Sequence, residues 1–478
     1  MTDFERLFYP RAVGIIGINE HRFGGGFFLK SLQTLKYDKP IYLFNPRLKG
    51  KEIDGIKVYG SILDLDTDTI IDYVILSVPA KLCPSLLEEI GKKGVPFVTI
   101  FTSGFSEVGN DDLEQELLQI AKKYNTRIIG PNCLGVHNPK AKLGMGLLHT
   151  PESGSLGLIS QSGSISIYML SIANFICHTY CSKVISIGNQ IDLNVIDFLK
   201  YFLTDDDTKI IGIYLENLKN QQIGRQFLEI TRKLTISKEK PVLLWKVGYG
   251  ESTKEAIYSH TGGLAGSSNL WEAMAKQSGA ILVQGSYELT SLAMAFNYID
   301  LKQIDRNLGI VALGGGSSIE VTELMEINNL SVPKLNKETE EKFKMFLPEI
   351  NTIFRNPLDL GAFGYDAERF SKTLIAIDQD PNVSVIVFVK PRHIDENFIA
   401  AVIKAKTKIK KPLIGITNKI NDEIDVFKDV LSLKQELFNV GVPIFESMEL
   451  AAKALDRMCS YKEFLEKYKN YNLTLADT

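Results

Sequence analysis

The stretch VGIIGINEHRFGGG, residues 13–26, is where the fold can first be read. Val13, Ile15 and Ile16 belong to a short, nearly unbroken apolar run with no helical period. Such a run suits a strand buried on both faces. Gly17 ends it, and Gly24, Gly25 and Gly26 precede a helix expected from about Phe27. Strand, glycine turn and helix together make the opening of a βαβ unit. The free N–H groups at such a helix start can meet a phosphate. The spacing departs from the dinucleotide fingerprint GxGxxG. The second strand runs into Asn45-Pro46-Arg47 and not into a ribose-binding carboxylate. A plain structural turn remains the alternative.

The same pattern repeats outward. Strands are expected at Val13–Ile18, Ile41–Phe44, Tyr73–Val78, Phe97–Phe101, Arg127–Ile129, Leu156–Ile159, Lys183–Ser186, Ile210–Leu215, Val242–Lys246, Leu308–Leu313, Val383–Val389 and Leu413–Thr417. Amphipathic segments such as Asp111–Tyr124 and Val195–Phe202 lie between them and read as helices. This alternation predicts an α/β protein with doubly wound parallel sheets. Glycines and prolines between His137 and Ser155, and the charged segment Asp300–Asn307, mark two boundaries. Three modules are expected, at 1–143, 144–300 and 301–462, followed by a polar tail at 463–478.

Composition narrows the function. The chain has 478 residues, 45% of them hydrophobic, and a formal net charge of -3. That balance supplies ordinary cores and no basic stripe for nucleic acid. An anionic ligand must therefore be held by a local site. The five cysteines form no CxxC pair, which points to a reduced, cytoplasmic chain. Cys177, His178 and Cys181 lie close together, but no second ligand pair stands nearby, so no metal site is expected. The acidic start without an apolar core is unlike a signal peptide. The uncharged stretch from Gln161 to Ser182 carries recurring polar groups and reads as a buried helix, not a membrane span.

Three more loops should share the carboxyl edge of the first sheet. They are Ser77-Val78-Pro79-Ala80, Thr102-Ser103-Gly104-Phe105 and Gly130-Pro131-Asn132-Cys133-Leu134-Gly135. Ligands of open α/β sheets bind along that edge. In the second module, Ile159-Ser160-Gln161-Ser162-Gly163 enters the uncharged helix. Ser162 there fits an anion site or, equally, a simple N-cap. The sharpest local feature is Ser259-His260-Thr261-Gly262-Gly263-Leu264-Ala265-Gly266. A histidine leading into glycines can be exposed and can move, and neutral imidazole accepts a phosphoryl group. Glu216, after the strand Ile210–Leu215, could fix its tautomer. A solvated loop histidine is the alternative.

At these motifs the chain resembles the ADP-forming acyl-CoA synthetases, relatives of succinyl-CoA synthetase. FYPRAVGIIG, NPR, VPAK, SGFSEVG, GPNCLG, ISQSGS, SIGNQIDL, SHTGGLAG and RNPLDL occur in the family's order. The resemblance implies a Rossmann-like CoA-binding domain followed by two flavodoxin-like CoA-ligase domains. It implies that phosphate converts an acyl-CoA into an acyl phosphate and free CoA. His260 then takes the phosphoryl group, releases the acid and passes the group to ADP, or the cycle runs backwards. Ser162, Gly163, Gly262 and Gly263 would bind phosphate, with Glu216 orienting His260. CoA would meet Gly17, Ile18, Asn19, Arg22, Gly24, Pro46, Arg47, Val78, Pro79, Thr102, Ser103, Gly104 and Asn132. No ATP-grasp pattern is apparent. The resemblance therefore implies that ADP or ATP and Mg²⁺ sit on a separate β subunit, in an α2β2 heterotetramer. Leu313-Gly314-Gly315-Gly316 reads as a structural turn in preference to a second anion site.

Two other classes compete. An NAD-dependent dehydrogenase is disfavoured by the missing fingerprint and by Arg47. A non-catalytic CoA or acyl-CoA sensor would tolerate loss of His260 or Glu216, yet both are present.

Overall fold

The computed structural model describes residues 3–20, 23–146, 151–218, 221–253, 268–349, 352–390, 396–417 and 434–476. They form two compact units. One holds Met1–Asn174 and Tyr180–Ser286, the other Phe175–Thr179 and Tyr287–Thr478.

The first unit contains two sheets. One is built from β1 (Val13–Ile16), β2 (Ile41–Phe44), β3 (Glu52–Ile53), β4 (Ile56–Tyr59), β5 (Tyr73–Leu76), β6 (Phe97–Ile100) and β7 (Arg127–Ile129), in the order β3-β4-β2-β1-β5-β6-β7. All its pairings are parallel except the β3–β4 hairpin. The other contains β8 (Gly135–His137), β9 (Leu156–Ser160), β10 (Cys181–Ser186), β11 (Ile210–Leu215), β12 (Val242–Lys246) and β13 (Ile281–Leu282), in the order β13-β12-β11-β9-β10-β8. The central strands are buried on both faces, as their unbroken apolar runs require. The second unit carries an all-parallel sheet of β14 (Leu308–Ala312), β15 (Leu358–Asp359), β16 (Val385–Val389), β17 (Leu413–Ile416) and β18 (Ile444–Phe445), ordered β15-β14-β16-β17-β18. The helices Asp111–Tyr124 and Val195–Phe202 form where the sequence pattern places them.

Strand β8 lies inside the stretch expected for the first module, yet it pairs antiparallel with β10 of the second sheet. Charged anchors hold the two sheets together. Arg127 makes a two-pronged pair with Asp192, at 2.9 Å from both Nε and one terminal nitrogen. Lys183, fully buried on β10, reaches both Asp205 oxygens at 2.9 and 3.0 Å. The rings of Phe8, Tyr9 and Tyr201 surround that ammonium, so the N-terminal helix Glu5–Phe8 is fastened to the second sheet. In the second unit, Asn356 of RNPLDL donates to the Leu308 and Pro333 carbonyls and accepts from Ile310 N–H, stitching that motif onto β14.

The uncharged helix spans Gly163–Phe175. It buries Ser166, Met169, Leu170, Ile172, Ala173 and Asn174 and exposes Tyr168 on the opposite face. Among the described residues no helix is long and apolar enough to cross a membrane.

Asp72 secures the entry to β1 and β5. Its buried carboxylate accepts from Arg6 at 2.6 and 2.9 Å and from Arg11 at 2.8 and 3.0 Å. Burial alone would raise this carboxyl, but the hydrogen bonds from Arg11 and Arg6 outweigh it and hold the group at about 2. Its stabilising contribution is complete above the usual 3.8 and is lost as pH falls toward 2. Asp72→Asn should lower stability by about 2 kcal/mol at neutral pH and flatten this acid dependence, as read by urea unfolding between pH 2 and 7.

Candidate active site

Five loops leave the carboxyl edge of the first sheet, on either side of the point where β1 lies between β2 and β5. Gly17 has φ +90°, and a Cβ there would collide with the Ser77 carbonyl oxygen. Only glycine lets these two loops touch. Asn45 ties the next loop down by donating to the Ile18 carbonyl at 2.6 Å, and its Oδ1 accepts from Arg47 N–H at 3.0 Å. Thr102 Oγ1 donates to the Val78 carbonyl at 2.5 Å, and Asn132 N–H donates to the Thr102 carbonyl at 3.0 Å. Gly17, Asn19, Gly24, Pro46, Arg47, Val78, Pro79, Thr102, Ser103, Gly104 and Asn132 therefore line one edge. Ile18 is on it too but is fully buried, and Arg22 lies outside the described residues.

The edge of the second sheet carries a separate cluster. Parallel pairing sets Tyr214 opposite Ser160, so Glu216 and Ser162 emerge together. Between them stands Gln161. Its Oε1 accepts from the backbone N–H groups of both Glu216, at 2.9 Å, and Asn217, at 3.2 Å. Its Nε2 donates to Asn217 Oδ1 at 3.3 Å. Ser162 caps the helix Gly163–Phe175, with Ile165 N–H donating to its hydroxyl at 3.4 Å. That cap leaves the remaining N–H groups of the first turn without intrahelical partners.

Glu216 is 5% exposed, and its Oε1 accepts from Tyr214 OH at 3.3 Å. Beside it, Lys246 ends β12 and is 3% exposed. The ammonium donates to the Glu216 carbonyl at 2.8 Å and to the Val247 carbonyl, and lies over the rings of Tyr249 and Trp271. Burial pulls its pKa down to about 8, although the charge of Glu216 pushes the other way. In the sequence, Lys246 is no more than the end of the strand Val242–Lys246. Its signal was a lysine in an otherwise apolar run. His260, Gly262 and Gly263 lie outside the described residues.

Among the described residues no group of three or more His, Cys, Asp or Glu could hold a metal ion. His178 stacks on Phe438, with ring centroids 4.5 Å apart, and Tyr298 donates to its carbonyl. In the turn Leu313-Gly314-Gly315-Gly316, Asp359 Oδ1 accepts from Gly314 and Gly361 N–H at 2.7 and 2.9 Å, fastening the turn to β15.

Residues 11–139 match a CoA binding domain family, and residues 153–296 match the succinyl-CoA ligase like flavodoxin domain. The chain is 33% identical to the α subunit of an ADP-forming acetate–CoA ligase I of Pyrococcus furiosus, covering 97% of this chain and 99% of that one. It is 40% identical to an ADP-forming acetate–CoA ligase of Methanocaldococcus jannaschii over 75% of its length. The alignment spans about half of that longer relative, 49%. A solved acetyl-coenzyme A synthetase 1 of Ca. Korarchaeum cryptofilum, in complex with phosphate and ADP, superposes with a TM-score of 0.82 at 26% identity. That match covers 98% of this chain and 99% of the other.

Two outcomes are expected of this cluster. Gln161→Ala strips the acceptor from two buried N–H groups and should cost about 2–4 kcal/mol, read as a lower denaturation midpoint. Between about pH 8 and 10.5, an unfolded Lys246 keeps the proton that the folded one has lost, so this residue makes stability rise with pH across that window. Lys246→Met should remove that rise from the difference between wild-type and variant melting curves.

Proposed function

The chain belongs to the family of ADP-forming acetate–CoA ligases, and we propose that it holds CoA on the first sheet's edge and carries a phosphoryl group on His260. In the direction of ATP formation, phosphate attacks the acyl carbonyl of an acyl-CoA, the C–S bond breaks, and CoA leaves as thiolate. An imidazole nitrogen of His260 then attacks the phosphorus of the acyl phosphate, and the carboxylate leaves. Phospho-His260 finally passes the group to ADP.

The observation that carries this reading is the shared edge at which Gln161 locks Glu216 and Ser162 side by side. The buried carboxylate of Glu216 would accept from the second imidazole N–H and hold one tautomer. The helix start at Ser162 and Gly163 would face the developing negative charge with fixed N–H dipoles, and Gly262 and Gly263 would share in binding the phosphate. Fixed dipoles need no rearrangement as the charge forms, so they lower the barrier without a matching cost in the ground state.

On the first sheet, Arg47 and the amides of the turn Gly17–Gly24, Arg22 included, would take the anionic end of CoA. Val78, Pro79, Thr102, Ser103, Gly104 and Asn132 would flank the rest. The nucleotide would sit on a partner β subunit of ATP-grasp type in an α2β2 assembly, and Mg²⁺ bound there would neutralise phosphate charge. We place the chain in the cytoplasm, where its five free cysteines stay reduced.

Incubation with acetyl-CoA, phosphate and the partner chain should add one acid-labile phosphoryl group, mapped to His260. Glu216→Gln should slow that labelling by roughly 10²–10⁴-fold, the usual worth of a positioned proton-handling group. Labelling that persists in His260→Asn would refute the assignment.

A further inference from the structure

The turn after β10 contributes Asn189, which is 5% exposed. Its Nδ2 donates to Glu107 Oε2 at 2.6 Å and to Glu114 Oε1 at 2.9 Å. Glu107 Oε1 in turn accepts from the backbone N–H of Gly104, at 2.6 Å, and of Phe105, at 3.2 Å. Glu114 Oε1 also accepts from Ser106 Oγ at 2.8 Å. Two carboxylates of the first domain thus converge on one amide group of the second. A primary amide has two N–H bonds and no charge, so it can serve both acids at once. Without it, the buried Glu114 carboxylate would face the half-buried Glu107 carboxylate with nothing between them to offset their repulsion.

Asn189 is itself held in place. Its N–H donates to the Pro131 carbonyl at 3.0 Å, and Ile191 N–H donates to the Gly130 carbonyl at 3.1 Å. Gly188 before it has φ +52°, and a Cβ there would run into the Pro131 carbonyl oxygen. The amide therefore has a fixed origin, and Glu107 transmits that origin to the backbone at Gly104. Burial would raise the Glu107 carboxyl, but the bonds from Gly104 and Asn189 bring it below its usual range, so it stays an acceptor at neutral pH.

We propose that Asn189 is a positioning residue for CoA. From the neighbouring domain, through Glu107, it fixes the loop Thr102–Gly104 in the shape that binds the cofactor, without touching CoA. The inference rests on the reading that this loop holds CoA. It also assigns a purpose to the SIGNQIDL motif, which the phosphoryl relay does not use.

The test is calorimetric titration of CoA into the full chain, wild type against Asn189→Ala, with Asn189→Ser as the smaller change should the alanine variant not fold. Loss of two charge-assisted hydrogen bonds predicts a Kd for CoA weakened roughly 10- to 100-fold. With the partner chain present, ATP-driven phosphorylation of His260, which does not require CoA, should stay within about twofold of wild type on the same hydrogen-bond argument. A purely structural role would lower the melting temperature and leave the CoA Kd unchanged in the folded variant, and that result overturns the proposal. Equal loss of phosphorylation and of CoA binding also overturns it. Should the wild-type chain fail to bind CoA, the functional reading itself falls, an outcome distinct from either.

Discussion

One amide side chain sets the geometry of the second sheet's carboxyl edge, the candidate active site. Gln161 Oε1 takes two consecutive backbone N–H groups at the end of β11, and so decides where Glu216 leaves the sheet. Gln161 is adjacent in sequence to Ser162, and the same residue therefore sets the start of the helix Gly163–Phe175. Parallel strands alone bring two loop ends to the same edge, but they do not fix the distance between them. A buried side chain bridging the loops does, because an unmet N–H in that position is costly.

The same device recurs at a larger scale. Asn45, Thr102 and Asn132 join the loops of the first sheet to one another by side-chain or backbone bonds. Asn189 and the Arg127–Asp192 pair join the first sheet to the second. In each case the site residue is on a loop, and its position is inherited from a neighbouring strand. This suits a chain of nearly neutral charge, in which any bound anion would be held by placed N–H groups and not by a global field.

Much of this was legible in the sequence. The long β-branched runs are strands because a parallel sheet covered on both faces leaves no polar alternation. The edges of these strands agree with expectation to within one or two residues. The hairpin Glu52–Ile53 and Ile56–Tyr59 was missed. Its residues are mostly polar or half-exposed, and its one clear signal, Asp54-Gly55 at the turn, stood without flanking apolar alternation. The two-residue strands β13, β15 and β18 are too short to carry a period. At the candidate site, Ser162 and Glu216 were legible from motif and strand end. Lys246 and Asn189 were not, because their roles come from contacts that local pattern cannot express. Asn189 meets Glu107 across 82 residues of chain.

The antiparallel strand Gly135–His137 has a consequence for the autonomy of the two domains. It covers the outer side of β10, all six residues of which are buried. A cut after residue 143 would carry this cover away with the first fragment. The second fragment would then present a bare row of N–H and C=O groups on an apolar strand, a template for adding strands from other copies. The second sheet thus keeps itself from self-association by borrowing a strand from the stretch that precedes it.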